Sequence, residues 1–170
     1  FGDVTKDGKA VYFTGDGAIY GENGYITITG RTDDVINVSG HRMGTAEVEA
    51  AIKKHDNVAA VAVVGKPHEL KGEGIFAYIV LKSVPMAHND DIADELETMK
   101  EINKIIKTEI GNIALCDNMV FVPDLPKTRS GKIMRRILRA LAKGEKITQD
   151  TSTLEDPTIV GQIEALVNAS

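Results

Sequence analysis

The feature that most constrains the fold is a pair of unbroken apolar runs, residues 58–64 and 75–81. A strand with one wet face alternates apolar and polar residues. A continuous run of this length is the pattern of a strand covered on both faces. Two such strands need helices or loops packed above and below them. The neighbouring segments offer that cover. Ile92, Leu96, Met99, Ile102, Ile106 and Ile110 recur every three or four residues and predict an amphipathic helix over 90–110, with Met99 as core filling and Gly111 as its stop. Thr45 is the expected cap of a shorter helix after a strand at 35–38, with Glu47 and Glu49 near its positive end. Residues 119–122 read as a short strand. Residues 65–74, with Pro67, Gly72 and Gly74, and 85–91 read as loops. The tail has Asp156 as cap and Pro157 at the first helical position, then a stripe of Ile159, Ile163, Leu166 and Val167 that should dock on the body. There is no regular strand–helix alternation. The expected class is therefore α+β, a small mixed β-sheet flanked by helices.

The first thirty residues are different. Two β-rich runs, 11–14 and 25–29, flank glycine-rich turns and predict a β-hairpin, with Asp16 in the turn at 14–17. A polar break at 30–34 marks a boundary. The expected organisation is 1–32 as a hairpin belonging to a preceding domain, 33–150 as the main domain, and 151–170 as a tail with a docking helix. The chain opens on Phe1 without a start signal, as a piece of a longer protein would.

Composition excludes some functions. The formal net charge of −5 argues against a general nucleic-acid binder, Cys116 is the single cysteine, and no apolar run approaches the roughly 20 residues that cross a bilayer. The expected compartment is the cytoplasm, with neither membrane nor nucleic acid as partner. Charge is uneven, however: residues 127–146 hold eight basic side chains and one acidic, Glu145. Such a run is either a solvated helix face or a site for a polyanion, whether nucleic acid or the phosphates of a nucleotide or CoA. Without stacking aromatics, the stretch is a poor single-strand binder.

Within that basic run lies PKTRSGKIMRR, residues 126–136. Pro126 stops regular structure. Thr128, Ser130 and Gly131 form a loop. Ile133, Ile137, Leu138 and Leu141 fall on one helical face, with Ser130 as the natural cap. Lys132 is thus expected at a loop-to-helix junction, where a cation and a helix N-terminus both favour an anion. Spacing alone fits a capped surface helix with a solvated lysine. A phosphate-cradling P-loop is excluded, because Ile133 follows Lys132 and no glycine lies five residues before Gly131.

The wording of the motif is more specific than its spacing. PKTRSGKIMRRILR closely resembles the C-terminal signature of AMP-forming acyl-CoA synthetases. Two further motifs occur in that family's order: TGD ahead of a GY-containing strand, and GRTDDVINVSGHRMGTAE at 30–47. The resemblance runs from Phe13 to the DTSTLEDP segment at 150–157. It is nearest the acetate branch, the acetyl-CoA synthetases, with propionate-type enzymes as near neighbours. It implies the C-terminal domain of adenylate-forming enzymes and a two-step ligase reaction. Acetate attacks the α-phosphate of Mg–ATP to give acetyl-AMP and pyrophosphate; CoA then yields acetyl-CoA and AMP.

The resemblance also implies roles. Lys132 would orient the acyl carboxylate and the ATP α-phosphate. Asp16 would bind both ribose hydroxyls, Arg31 the ribose, and Arg42 the ATP phosphates. Asp33 would be the hinge about which the domain swings between two poses. Ser39 and Gly40 would line the pantetheine tunnel, Gly40 by removing a side chain where something passes closely. Lys107 stands where the family has an arginine on the CoA 3′-phosphate; lysine keeps the charge without the fork. A metal would sit on main-chain oxygens near Lys53, His55 and Val58. His41 has no partner visible in the sequence and reads as structural. Lys132 would be a target of a protein acetyltransferase and a deacetylase, since acylation removes its charge. The family's large N-terminal adenylation domain, with its phosphate loop and acyl pocket, would be the essential partner; without it the chain should not turn over. The rival of another class is a non-catalytic module that binds a nucleotide or nucleic acid through 127–146.

Overall fold

The computed structural model describes residues 15–31, 34–82, 91–147 and 151–169. The run 11–14, Asp33 and residues 85–90 lie outside them, as do the side chains of Arg31 and Ile92. The chain divides into two compact units, Phe1–Val35 and Ile36–Ser170.

In the first unit, β1 (Asp16–Tyr20) pairs antiparallel with β2 (Ile26–Arg31). The hairpin therefore uses a first strand that the sequence pattern assigned to a turn. Asp16 opens β1 and stands in register with Arg31. The physical reason is that β1 lacks a burial period: Ile19 and Tyr20 are both exposed, as are Ile26 and Ile28 on β2. Without alternation, the glycines dominated the reading.

The second unit is built on β5 (Val58–His68) and β6 (Gly72–Leu81), an antiparallel hairpin with a tight turn at 69–71. Both strands run through the segment read as a loop. Pro67 fits near the strand end, where it stands opposite Glu73. Strand β7 (Asn118–Phe121) lies parallel to β6 along Phe76–Ile79, so the sheet is mixed. Strands β3 (Val35–Val38) and β4 (His41–Gly44) extend it, with Val38 opposite Gly72.

Helices α1 (Thr45–Ile52) and α2 (Asp91–Glu109) cover one face, and α3 (Arg135–Ala142) and α4 (Thr158–Ala169) the other. The alternation that the two apolar runs conceal is resolved by these layers. Val61, Val63, Ile75, Ala77 and Ile79 join Val48, Ile52, Ile102 and Ile106 in one core. Ala62, Val64, Phe76 and Tyr78 join Ile137, Leu138, Leu141, Ile159 and Ile163 in the other. Both faces are dry, as the continuous runs required.

Some details differ from expectation. Thr45 does not cap α1; Gly44 precedes it without a side-chain bond, and Thr45 is buried inside the first turn. Glu49 is not a solvated partner of the helix dipole but is 7% exposed, with consequences described below. Leu166, assigned to the docking stripe of α4, is exposed, while Ile159, Val160 and Ile163 carry the contact. Asp156 does cap α4: its Oδ1 accepts the Thr158 N–H at 2.9 Å and the Thr158 hydroxyl at 2.6 Å, which lowers the Asp156 pKa. Burial and the neighbouring Asp117 push the Cys116 thiol up to about 12.

Tyr78 shows how the second core is locked. Its ring is fully buried and its hydroxyl donates to the Leu138 carbonyl at 2.8 Å, tying β6 to α3. Tyr78→Phe removes this tie between β6 and α3 in a dry site. We expect a loss of about 1–2 kcal/mol, read as a lower urea midpoint at unchanged m-value.

Candidate functional site

The Lys132 loop is a small hairpin rather than a helix start. Lys127 and Ile133 form an antiparallel bridge. The Thr128 N–H donates to the Lys132 carbonyl at 2.9 Å, and the Gly131 N–H returns to the Thr128 carbonyl at 2.8 Å. Gly131 takes φ 80°, a conformation that favours glycine and lets the turn close. The hydroxyls of Thr128 and Ser130 meet at 2.9 Å, and the Lys132 N–H donates to Thr128 Oγ1 at 3.1 Å. Ser130 thus serves the turn and caps nothing. Helix α3 begins only at Arg135, after Met134, with no side-chain cap. The expected helix-dipole contribution at Lys132 is absent, because bridging to Lys127 holds Ile133 extended. What remains is an exposed ammonium on a four-carbon stem, with no ion pair among the described residues.

Three residues on, Arg135 anchors the hairpin to the body. Its Nη2 donates to both oxygens of Glu49, at 2.7 and 2.8 Å. Glu49 Oε1 also accepts the Val63 N–H at 2.9 Å. One buried carboxylate therefore joins α1, the edge of β5 that faces away from β6, and the start of α3. A bare strand edge is a pairing hazard, and here a side chain occupies it.

The second candidate segment is the two-residue turn between β3 and β4. Ser39 takes φ 50° and Gly40 φ 83°, the pairing that a type I′ turn needs. A Cβ on Gly40 would meet nothing within 4 Å. Within this chain the dihedral angle by itself calls for glycine, and the side on which a Cβ would stand is open. The Ser39 N–H donates to the Lys71 carbonyl at 2.8 Å, which ties the turn to the tip of the β5–β6 hairpin. Lys71 Nζ in turn holds Asp117 Oδ1, and Asp117 Oδ2 accepts the Ile75 N–H at 2.9 Å. Ile75 and Asp117 also line an open cavity of about 350 Å³ together with His68, Leu70 and Gly74 among others. His41 and Arg42 lie exposed on β4. His41 has no hydrogen-bond partner among the described residues, so it is not held as a base.

The other assigned residues lie elsewhere. Asp16 and Arg31 stand opposite each other in the first unit. Lys107 is exposed in the last turn of α2, and no bond among the described residues joins it to Ser39 or Gly40. The His55 ring meets Glu101 Oε2 at 2.8 Å, and its carbonyl accepts the Val58 N–H at 3.0 Å. A cation on the main-chain oxygens of Lys53, His55 and Val58 would share the His55 oxygen with that bond. Among the described residues no three His, Cys, Asp or Glu side chains cluster to hold a metal.

The basic run is not one continuous face. Lys127 pairs with Asp124 at 2.6 Å, Arg135 with Glu49, and Lys143 approaches Glu145 at 3.9 Å. Lys132 is exposed within this partly neutralised stretch. The residues that the sequence pattern missed are Glu49, Arg135, Lys71 and Asp117. The only hint was a glutamate at 49 among the apolar positions Val48, Ala51 and Ile52.

An α+β body with an exposed lysine hairpin and a separately anchored glycine turn defines a class. Residues 47–132 match the family of AMP-binding enzyme C-terminal domains, and the chain belongs to that family. Among curated proteins it is 63% identical over 166 residues to acetyl-coenzyme A synthetase of Wolinella succinogenes, covering 98% of this chain and 25% of that protein. It is 57% identical over 169 residues to the protein of the same name from Campylobacter jejuni, covering 99% and 25%. The chain thus spans a quarter of the length of these relatives. Among solved structures, ATP-bound MatB from Rhodopseudomonas palustris is 26% identical with a TM-score of 0.61, covering 82% of this chain and 25% of that one. No described helix is long and apolar enough to cross a membrane.

Proposed function

We propose that the chain is the mobile C-terminal part of an AMP-forming acetate–CoA ligase. It works with its own N-terminal adenylation domain on Mg–ATP, acetate and CoA in the cytoplasm. The observation that carries this reading is the exposed Lys132 on a braced hairpin, in a family domain 63% identical to a curated acetyl-coenzyme A synthetase. In the first half-reaction Lys132 Nζ holds the acetate carboxylate against the α-phosphate and stabilises the charge that grows there as pyrophosphate leaves. Asp16 and Arg31 hold the ribose, and Arg42 the phosphates. The domain then turns about Asp33. Lys132 withdraws, and the Ser39–Gly40 turn comes to the thiol entry, with Lys107 on the CoA 3′-phosphate. The reading keeps a cation at Lys53, His55 and Val58 as a structural element with no part in either step.

The separate anchoring of the two segments supports this alternation. The Lys132 hairpin is braced through Glu49, and the Ser39–Gly40 turn through Lys71 and Asp117. An exposed Lys132 is also open to an acetyltransferase and a deacetylase. Acetylation there would silence adenylation alone.

The test is acetate-dependent exchange of labelled pyrophosphate into ATP. The intact polypeptide that contains this chain should catalyse it, with propionate a poorer substrate. This chain by itself should give neither exchange nor acetyl-CoA. Exchange indifferent to every short-chain acid would overturn the reading.

A further inference from the structure

The segment that follows α3 takes part in the lysine site from behind. Residues 127–128 form the inner arm of the Lys132 hairpin and are paired on both sides. On one side they meet Ile133 and Lys132. On the other, Thr128 bridges antiparallel to Leu154, and the Glu155 N–H donates to the Lys127 carbonyl at 2.9 Å. Leu154 is 2% exposed and packs in the second core with Leu125, Ile137 and Leu138. Its neighbours Ser152, Thr153, Glu155 and Asp156 are exposed. The segment is thus held by one buried side chain, by its main chain against Lys127–Thr128, and by the Asp156 cap that starts α4. A simple connection between two helices needs no strand pairing with the arm of a neighbouring loop.

We propose that Leu154 and the Glu155 N–H are positioning elements for Lys132. They brace the outer edge of residues 127–128, so that the hairpin presents its ammonium at a fixed height above the body. The inference rests on the proposed ligase reading, in which Lys132 acts by position and charge. A long, flexible lysine gains from a rigid root, because a misplacement of about 1 Å can cost on the order of 10²-fold in rate. The two residues touch no substrate. Their effect should appear only in the step that Lys132 serves.

The test uses the intact enzyme and separates the half-reactions: pyrophosphate exchange for adenylation, and acetyl-CoA formation from supplied acetyl-AMP for thioester formation. Glu155→Pro removes the donor and leaves an exposed side-chain position; Glu155→Ala keeps the donor and serves as control. For Glu155→Pro we expect the turnover rate of exchange to fall by about tenfold, with KM for ATP and acetate and the thioester step each within about twofold of wild type. Glu155→Ala should match wild type in both. Equal loss in both half-reactions, or no loss in exchange, would overturn the proposal. If Glu155→Pro does not fold, Leu154→Val decides: it keeps the strand and trims the buried contact, and should show the same split at about threefold. A wild-type enzyme without acetate-dependent exchange would instead sink the ligase reading, so the two failures are distinguishable.

Discussion

Lys132→Ala in the full-length enzyme should lower acetate-dependent pyrophosphate exchange by about 10²–10³-fold, the usual effect of deleting one preorganised charge donor at a reacting centre. Acetyl-CoA formation from supplied acetyl-AMP should stay within about threefold, because in the proposed alternation the hairpin has by then swung away. Lys132→Arg should fall between the two. It keeps the charge, but a planar fork on a different stem does not place one nitrogen where the ammonium stood. The structure sharpens this expectation. Without a helix N-terminus behind Lys132, no backbone dipole compensates for the lost charge. The protein's fold should be indifferent, since Lys132 is exposed and unpaired among the described residues. Equal loss of both half-reactions would mean that Lys132 does not divide its labour as proposed.

The second large effect is on stability. Glu49→Ala should destabilise the chain by about 3–5 kcal/mol, a substantial share of the 5–15 kcal/mol available to a typical domain. Three bonds disappear together: two from Arg135 and one from the Val63 N–H. Arg135 stays half-buried with its carboxylate gone, and a strand-edge donor is left in a dry place. Glu49→Gln keeps the volume and one acceptor and should cost less. A double-mutant cycle with Arg135→Ala isolates the pair, with a coupling of at least about 1 kcal/mol expected. Urea denaturation of the four proteins is sufficient. A cost below about 0.5 kcal/mol for Glu49→Ala would place the pair among weak surface bridges.

The core was legible because burial leaves a repeating signal. The runs at 58–64 and 75–81 announced a doubly covered hairpin, and the period of Ile102 and Ile106 announced α2. The lysine motif was legible as wording, but its geometry was misread. Ile133 falls on the same helical face as Ile137 and Leu141, yet the bridge to Lys127 keeps it extended. Periodicity cannot tell a helix residue from the residue just before one. Glu49 was illegible for another reason. Its partners, Val63 and Arg135, are distant in sequence, and only folding brings them to one carboxylate. The same holds for Asp117, whose partners Lys71 and Ile75 lie some forty residues earlier, in the hairpin turn and on β6. Strand β1 failed because an exposed ribbon has no buried side to mark it. The positive φ of Gly40 was hidden as well, because a dihedral angle leaves no mark in composition or period.

The two-sided hairpin has a consequence for synthesis on the ribosome. Every residue of the first core lies at or before Met119, whereas the second core needs residues as late as Ile163. A nascent chain that has emerged from the ribosome only to about residue 130 holds one finished layer while Phe76, Tyr78 and Val120 wait uncovered. That interval is when chaperone capture or clumping would occur. The lysine hairpin emerges inside the same interval, before Leu154 and Glu155 can pair with its arm.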